Sequence, residues 1–214
     1  MNYKKELPLI GIAIIPLGYL AIMWKHLPER VPLHWNIKGE IDRWGDKSEL
    51  IMVVCLITAL IYLLLYFVPK IDPKKKLGQM GSKFYHLRFI FQLIMSALAI
   101  FIIYSSHNQQ VSAPYWLFLG VGLLYVILGN FFQSIKANYF VGIRTPWTLE
   151  NETVWKATHR MAGKLWVGGG LFSILTTLVL PTKTASHVFI GITSVLVIVP
   201  ILYSYRKFQQ VKEE

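Results

Sequence analysis

Charge is scarce in this chain. Only 15% of its 214 residues are Asp, Glu, Lys or Arg and 54% are apolar, whereas an ordinary soluble domain is about one quarter charged. Such a composition excludes a water-soluble globule and points to a lipid bilayer. Cysteine is scarcer still: Cys55 stands alone inside an apolar run, which rules out an internal disulfide framework and a cysteine-based metal site, and packing is its expected role. Internal repeats, low-complexity linkers and a second soluble domain are also missing. The sequence contains no GxxxxGK[ST] phosphate loop, no HExxH and no GxSxG, so neither nucleotide-driven export nor a standard hydrolase constellation is written into it.

What the chain has instead is six long apolar stretches: Leu7–Trp24, Leu50–Val68, Phe89–Ser106, Pro114–Ser134, Leu165–Leu180 and His187–Tyr205. A helix needs about 20 such residues to cross the hydrocarbon core. Apart from the histidine that opens the last, these runs carry no basic or acidic side chain, which argues against ion-coupled transport. Six crossings put both termini on one side. With that side inside, the only Lys and Arg left outside are Lys25, Arg30, Lys38, Arg43, Lys47 and Lys183, out of 22. This asymmetry is the one that membrane proteins show toward the cytoplasm. The formal charge of +11 is thereby assigned to anionic inner-leaflet lipid, with no need for direct contact with nucleic acid. Lys4 and Lys5 before the first run resemble a signal-peptide start, but the run's length and the lack of a small-residue cleavage site before His26 favour an uncleaved anchor. The fold expected is therefore an all-α integral membrane protein of six transmembrane helices with cytoplasmic termini.

Two connectors are more than linkers. In the outer loop, residues 25–49, the phrase "VPLHWNIKGEIDRWGDK" alternates Val31, Leu33, Trp35 and Ile37 at the period of a strand, and Lys38-Gly39 supplies a turn. A short extended or hairpin-like element is predicted, with Pro32 restricting the strand to an edge and Trp35 and Trp44 suited to headgroup level. His26, Glu29, His34, Glu40, Asp42 and Asp46 have the chemistry of metal ligands. Their spacing fits no metal motif, and a solvated loop of local ion pairs is the simpler reading.

The inner loop, residues 135–164, holds "NYFVGIRTPWTLENETVWKATHRMAGK". Gly142 suits an unusual backbone conformation, Arg144 is a permanently charged fork, and Pro146 keeps Thr145 out of the α region. Thr148 or Asn151 is positioned to cap a helix whose first turn carries Glu150 and Glu152, and that helix should run on into the fifth span. Trp155, His159, Ala162 and Trp166 share one face of it, while Glu152, Lys156, Arg160 and Lys164 share another. A basic, tryptophan-bearing helix beside a span is expected at the cytoplasmic interface. Asn130, near the end of the fourth span, needs a hydrogen-bonding partner on another helix or in this loop. Gly120, Gly122, Gly168, Gly169 and Gly170 are read as close-approach positions, and Pro16 and Pro200 as kinks.

"GN" at 129–130, "NYFVGIRTPWTL" at 138–149, "ETVWKATHR" at 152–160 and "GK" at 163–164 closely resemble the C-terminal module of the SdpI family. These are bacterial membrane proteins named for immunity to a secreted sporulation-delaying toxin. The outer-loop phrase is similar to a small domain of unknown function that often precedes that module. The resemblance implies a two-span N-terminal module, residues 1–88, and a four-span SdpI-like module, residues 89–214. It further implies a multi-pass protein of the bacterial plasma membrane, without enzymatic activity or cofactor, that confers resistance to a peptide toxin. Some members also transduce a signal, holding a winged-helix repressor at the membrane when toxin is bound. The positions carrying the family pattern are Asn130, Asn138, Gly142, Arg144, Thr145, Pro146, Trp147, Thr148, Trp155, Thr158, His159 and Arg160. A toxin arriving from outside would meet His34, Trp35, Asn36, Gly39, Asp42 and Trp44. Transport of a peptide or lipid is the alternative, and metal- or lipid-linked membrane chemistry a more distant one.

Overall fold

A computed structural model describes residues 3–36, 40–73, 75–108 and 113–213. In chain order the elements are helix α1 (Tyr3–Met23), strands β1 (Arg30–Trp35) and β2 (Ile41–Asp46), and helices α2 (Glu49–Cys55) and α3 (Ile61–Ile71), which a π-helical turn at Leu56–Leu60 joins into one span. They continue with a 3-10 turn (Gly78–Met80), α4 (Ser82–His107), α5 (Ala113–Phe132), α6 (Pro146–Glu150), α7 (Glu152–Val179) and α8 (Thr182–Glu213). Among the described residues six helices are long and apolar enough to cross a membrane. The six-span helical architecture read from the sequence is thus observed, together with the two-stranded hairpin. The helices outrun their apolar cores, because backbone hydrogen bonding continues where the side chains turn polar. The first span accordingly includes Glu6 and the third includes Arg88, two ionisable groups lying just beyond the apolar runs.

The chain divides into two compact units. The first comprises residues 1–67 and 85–117, the second residues 68–84 and 118–214. In the first unit β1 and β2 pair antiparallel, with the register irregular around His34. Pro32, opposite Trp44, costs the ladder little because a two-stranded sheet has only edges. Val31 is fully buried in a core with Leu20, Leu27, Leu50, Val54, Ala99 and Ile103, so the hairpin is seated on the ends of the helices and does not hang free. Lys47 Nζ reinforces the seat by donating to Glu29 Oε1 at 2.7 Å and lies 5.3 Å from the Trp24 ring centre.

Toward the other end of α1 the same unit holds a buried polar seam along α4. Arg88 donates through both Nη atoms to the two carboxylate oxygens of Glu6, at 2.9 and 2.7 Å, and Tyr62 donates to Glu6 at 3.1 Å. One turn further, Gln92 Nε2 donates to the Thr58 carbonyl at 3.3 Å, inside the π turn. After another turn, Ser96 Oγ donates to the Ile12 carbonyl at 2.8 Å. That carbonyl is free because Pro16, four residues on, has no N–H to give it. Lipid offers no water to satisfy such a group, so a neighbouring side chain must.

The second unit solves the same problem in the same way. Pro200 leaves the Leu196 carbonyl without its helical donor, and Trp166 Nε1 donates to it at 2.9 Å. Helices α5 and α7 run antiparallel and touch through glycines seven residues apart. A Cβ on Gly129 would lie 2.8 Å from the Gly163 carbonyl oxygen, and one on Gly170 would lie 2.6 Å from that of Gly122. The close-approach role expected of Gly122 and Gly170 is present, and Gly169 packs against Leu196. Gly120 and Gly168 have open space around their Cβ positions because they sit on the outward faces of their helices.

Candidate functional site

The loop between α5 and α7 is organised by side chains that bond to its own backbone. Asn138, fully buried, donates to the carbonyls of Lys136 and Val141 at 2.8 and 3.0 Å. Its Oδ1 accepts the N–H groups of Phe140 and Val141 at 2.8 and 2.7 Å. All four hydrogen bonds available to the amide are made locally, so a loop that leaves the helical ladder keeps its backbone satisfied. Gly142 follows at φ +110°, a conformation open to glycine. A Cβ there would also collide with the imidazole of His159 and lie 3.2 Å from the Trp155 ring.

His159 is the central fastening. Its Nε2 accepts the N–H of Ile143 at 3.0 Å, so the ring proton resides on Nδ1, which donates to the Trp155 carbonyl at 2.9 Å. The imidazole is therefore neutral, with both nitrogens occupied by backbone. Trp155 stacks on it at 4.0 Å between ring centres, Phe132 meets it edge-on at 5.7 Å, and the Trp155 indole donates to the Ile135 carbonyl at 2.8 Å. An imidazole so engaged has no free nitrogen with which to accept a proton from a substrate or hold a metal.

Thr145 and Pro146 start the short helix α6. Thr145 is the N-cap: its N–H donates to Thr148 Oγ1 at 2.9 Å and its own hydroxyl accepts the N–H of Thr148 at 3.3 Å. Pro146 occupies the first helical position, where a missing N–H costs nothing. Thr148 Oγ1 in turn donates to the Ile143 carbonyl at 2.8 Å. The Trp147 indole donates to Ser204 Oγ on α8, and its ring meets Tyr205 edge-on at 5.3 Å. Asn151 caps α7 by accepting from Thr153 and Val154 at 2.9 and 3.1 Å. Of the two N-caps considered for the long helix, Asn151 is the one used, while Thr148 belongs to the capping box of α6.

The motif residues therefore separate by exposure. Asn138, Thr145, Thr148, Trp155, Thr158 and His159 are buried and Trp147 half-buried, whereas Arg144, Lys156 and Arg160 face outward. Arg144 donates through Nη1 to the Tyr139 carbonyl at 2.7 Å. The Trp155–His159–Ala162 face is covered by protein, because the loop folds back over it. One expectation changes. Asn130 is exposed instead of bonding into the loop. It lies two residues before the end of α5, where water is within reach of an amide.

In the hairpin, His34 Nδ1 lies 2.6 Å from Asp42 Oδ1, and Asn36 Nδ2 donates to the Glu40 carboxylate at 2.9 Å while its Oδ1 accepts the Glu40 backbone N–H at 3.0 Å. His34, Asp42 and Trp44 are exposed and Trp35 and Asn36 half-buried; Gly39 lies outside the described residues. Further ion pairs among the described residues join Arg43 to Glu49 at 3.0 Å and Arg30 to Asp46 at 3.7 Å. Among the described residues no three His, Cys, Asp or Glu side chains converge as metal ligands. Sequence reasoning missed Glu6, Arg88 and Ser204. The first two carried a readable sign, opposite charges adjoining spans one and three on the same predicted side of the membrane. Ser204 carried none.

Residues 134–204 match the model of the SdpI/YfhL protein family, and residues 11–59 match a domain of unknown function, DUF1648. The chain is 33% identical over 175 residues to Immunity protein SdpI of Bacillus subtilis (strain 168), an alignment covering 78% of this chain and 80% of that protein. The chain belongs to the SdpI family. With its six apolar helices it is a multi-pass bacterial membrane protein. No solved structure matches it significantly. The SdpI match opens just after α5 and closes at Ser204, and so encloses the whole network from Asn138 to the Trp147 anchor on α8. The DUF1648 match runs from α1 through the hairpin into the π turn.

Proposed function

We propose that this SdpI-family chain is a membrane immunity protein that protects its host from a secreted peptide toxin. The observation that carries the reading is the 33% identity to Immunity protein SdpI across most of both chains. The proposed orientation has both termini and the 135–164 loop in the cytoplasm, on the strength of the lysine and arginine distribution. The hairpin then faces outside, where the exposed His34–Asp42 pair and the exposed ring of Trp44 form the surface a membrane-seeking peptide meets first. On the inner side the buried motif residues serve as the frame, and the outward Arg144, Lys156 and Arg160 are the surface available to anionic lipid or to a repressor of the winged-helix type. Such a protein senses toxin through one end and reports it through the other.

Expression of the chain in a bacterium sensitive to the sporulation-delaying toxin tests the immunity reading. Survival of toxin doses that kill cells with an empty vector is expected. Killing at the same dose, with the protein correctly inserted, would reject it for that toxin. The signalling half is tested separately by membrane recruitment of a co-expressed repressor upon toxin addition, and Arg144→Ala with Arg160→Ala should abolish recruitment while leaving survival intact.

A further inference from the structure

In the polar seam of the first unit two atoms have no partner among the described residues: Nε of Arg88 and Oε1 of Gln92. Both side chains are almost completely buried. They lie four residues apart on α4, hence one above the other on a single helix face about 6 Å apart along the axis. Their polarities are fixed. An arginine Nε always carries a proton and only donates. The Gln92 amide cannot be turned round, because its nitrogen donates to the Thr58 carbonyl and the reversed amide would set two carbonyl oxygens against each other. One turn of helix thus buries a bare donor beside a bare acceptor, next to a π turn.

We infer that the seam contains an internal hydration site, a water that accepts from Arg88 Nε–H and donates to Gln92 Oε1. The charges around it select the ligand. A cation is repelled by the Arg88 guanidinium, and an anion by the Gln92 carbonyl and by the Glu6 carboxylate that Arg88 already holds through both Nη atoms. A neutral molecule with one acceptor and one donor satisfies both sides, and water is the smallest of these and the usual partner of buried orphan groups. With it in place the guanidinium is satisfied at Nε as well as in its bonds to Glu6, and Gln92 bonds at both ends of its amide. The seam then forms an unbroken hydrogen-bonded path from Tyr62 and Glu6 through Arg88 and Gln92 to Thr58. Such a path explains how the third span tolerates a buried arginine and how the second, which it meets at Thr58, tolerates a π turn.

The full-length chain, isotope-labelled at arginine and held in lipid bilayers, allows a direct test by solid-state NMR. The readout is magnetisation transfer from water protons to the side-chain Nε–Hε of Arg88, assigned by its loss in Arg88→Lys. Rapid transfer in the wild type and a severalfold weaker one in Gln92→Met, which keeps the shape and removes the acceptor, are expected. An Arg88 Nε–Hε that receives nothing from water in the wild type overturns the inference, and this outcome can be read even if Gln92→Met does not accumulate. Transfer unchanged in Gln92→Met also overturns it, because the water would then not be held by Gln92.

Discussion

His159 and Gly142 show how closely single residues fix the loop. The N–H of Ile143 ends on His159 Nε2, and an aromatic ring without a nitrogen there would leave that donor buried and bare, at a cost of about 1–3 kcal/mol. His159→Phe, which keeps the stacking on Trp155, is therefore expected to lower the melting temperature of the purified protein. Gly142→Ala adds a strained φ to a collision with the imidazole and should be destabilised by at least about 1–3 kcal/mol. Thermal unfolding in detergent checks both, and a wild-type melting point for either variant would contradict the fastening described. The exposed Arg160→Ala serves as the neutral comparison.

At the scale of elements, the glycine pairs set the distance between α5 and α7. The Cβ of Gly129→Ala would meet backbone atoms of α7 at 2.8 Å, which cannot swing aside as a side-chain tip does, and overpacking of this kind costs about 1–3 kcal/mol. Gly120→Ala, with nothing within 4 Å, should stay within about 0.5 kcal/mol of wild type. Measured unfolding of the two variants in the same detergent separates packing from any general dislike of alanine in these helices. The sequence made the existence of such contacts legible, since small residues in spans suggest close approach. It left the choice between Gly120 and Gly122 open, because that depends on which face meets which neighbour. Likewise the proline breaks at Pro16 and Pro200 were readable in the helical ladder, but Ser96 and Trp166, which bond the carbonyls they leave without donors, come from distant segments, and no local pattern announces them. The Trp155–His159 face was legible as a face; that a folded loop, not lipid, covers it depends on the four bonds of Asn138. The hairpin was the most legible element, because a period of two needs only local sequence.

At the scale of the whole molecule, topology follows from where the cationic side chains collect, and this can be measured. Cys55 is the single native thiol, so a Cys55→Ala background accepts one new cysteine at a time. A membrane-impermeant maleimide is expected to label Asp46→Cys on intact cells and to label Arg160→Cys only after the membrane is opened. The reverse pattern would invert the chain and move the proposed receptor surface to the inside. The division of labour proposed here depends on that orientation: an outward hairpin anchored by Val31, and an inward loop whose buried residues are framework.

The most direct measurement is toxin survival per molecule inserted, comparing wild type with Trp44→Ala and with the His34→Ala, Asp42→Ala double variant, each quantified in the membrane fraction. All three side chains are exposed on the hairpin, so their removal should leave abundance unchanged. The account predicts that protection falls sharply in these variants while the wild type survives. Full protection by both hairpin variants at equal abundance would contradict it and place the protective surface elsewhere on the chain.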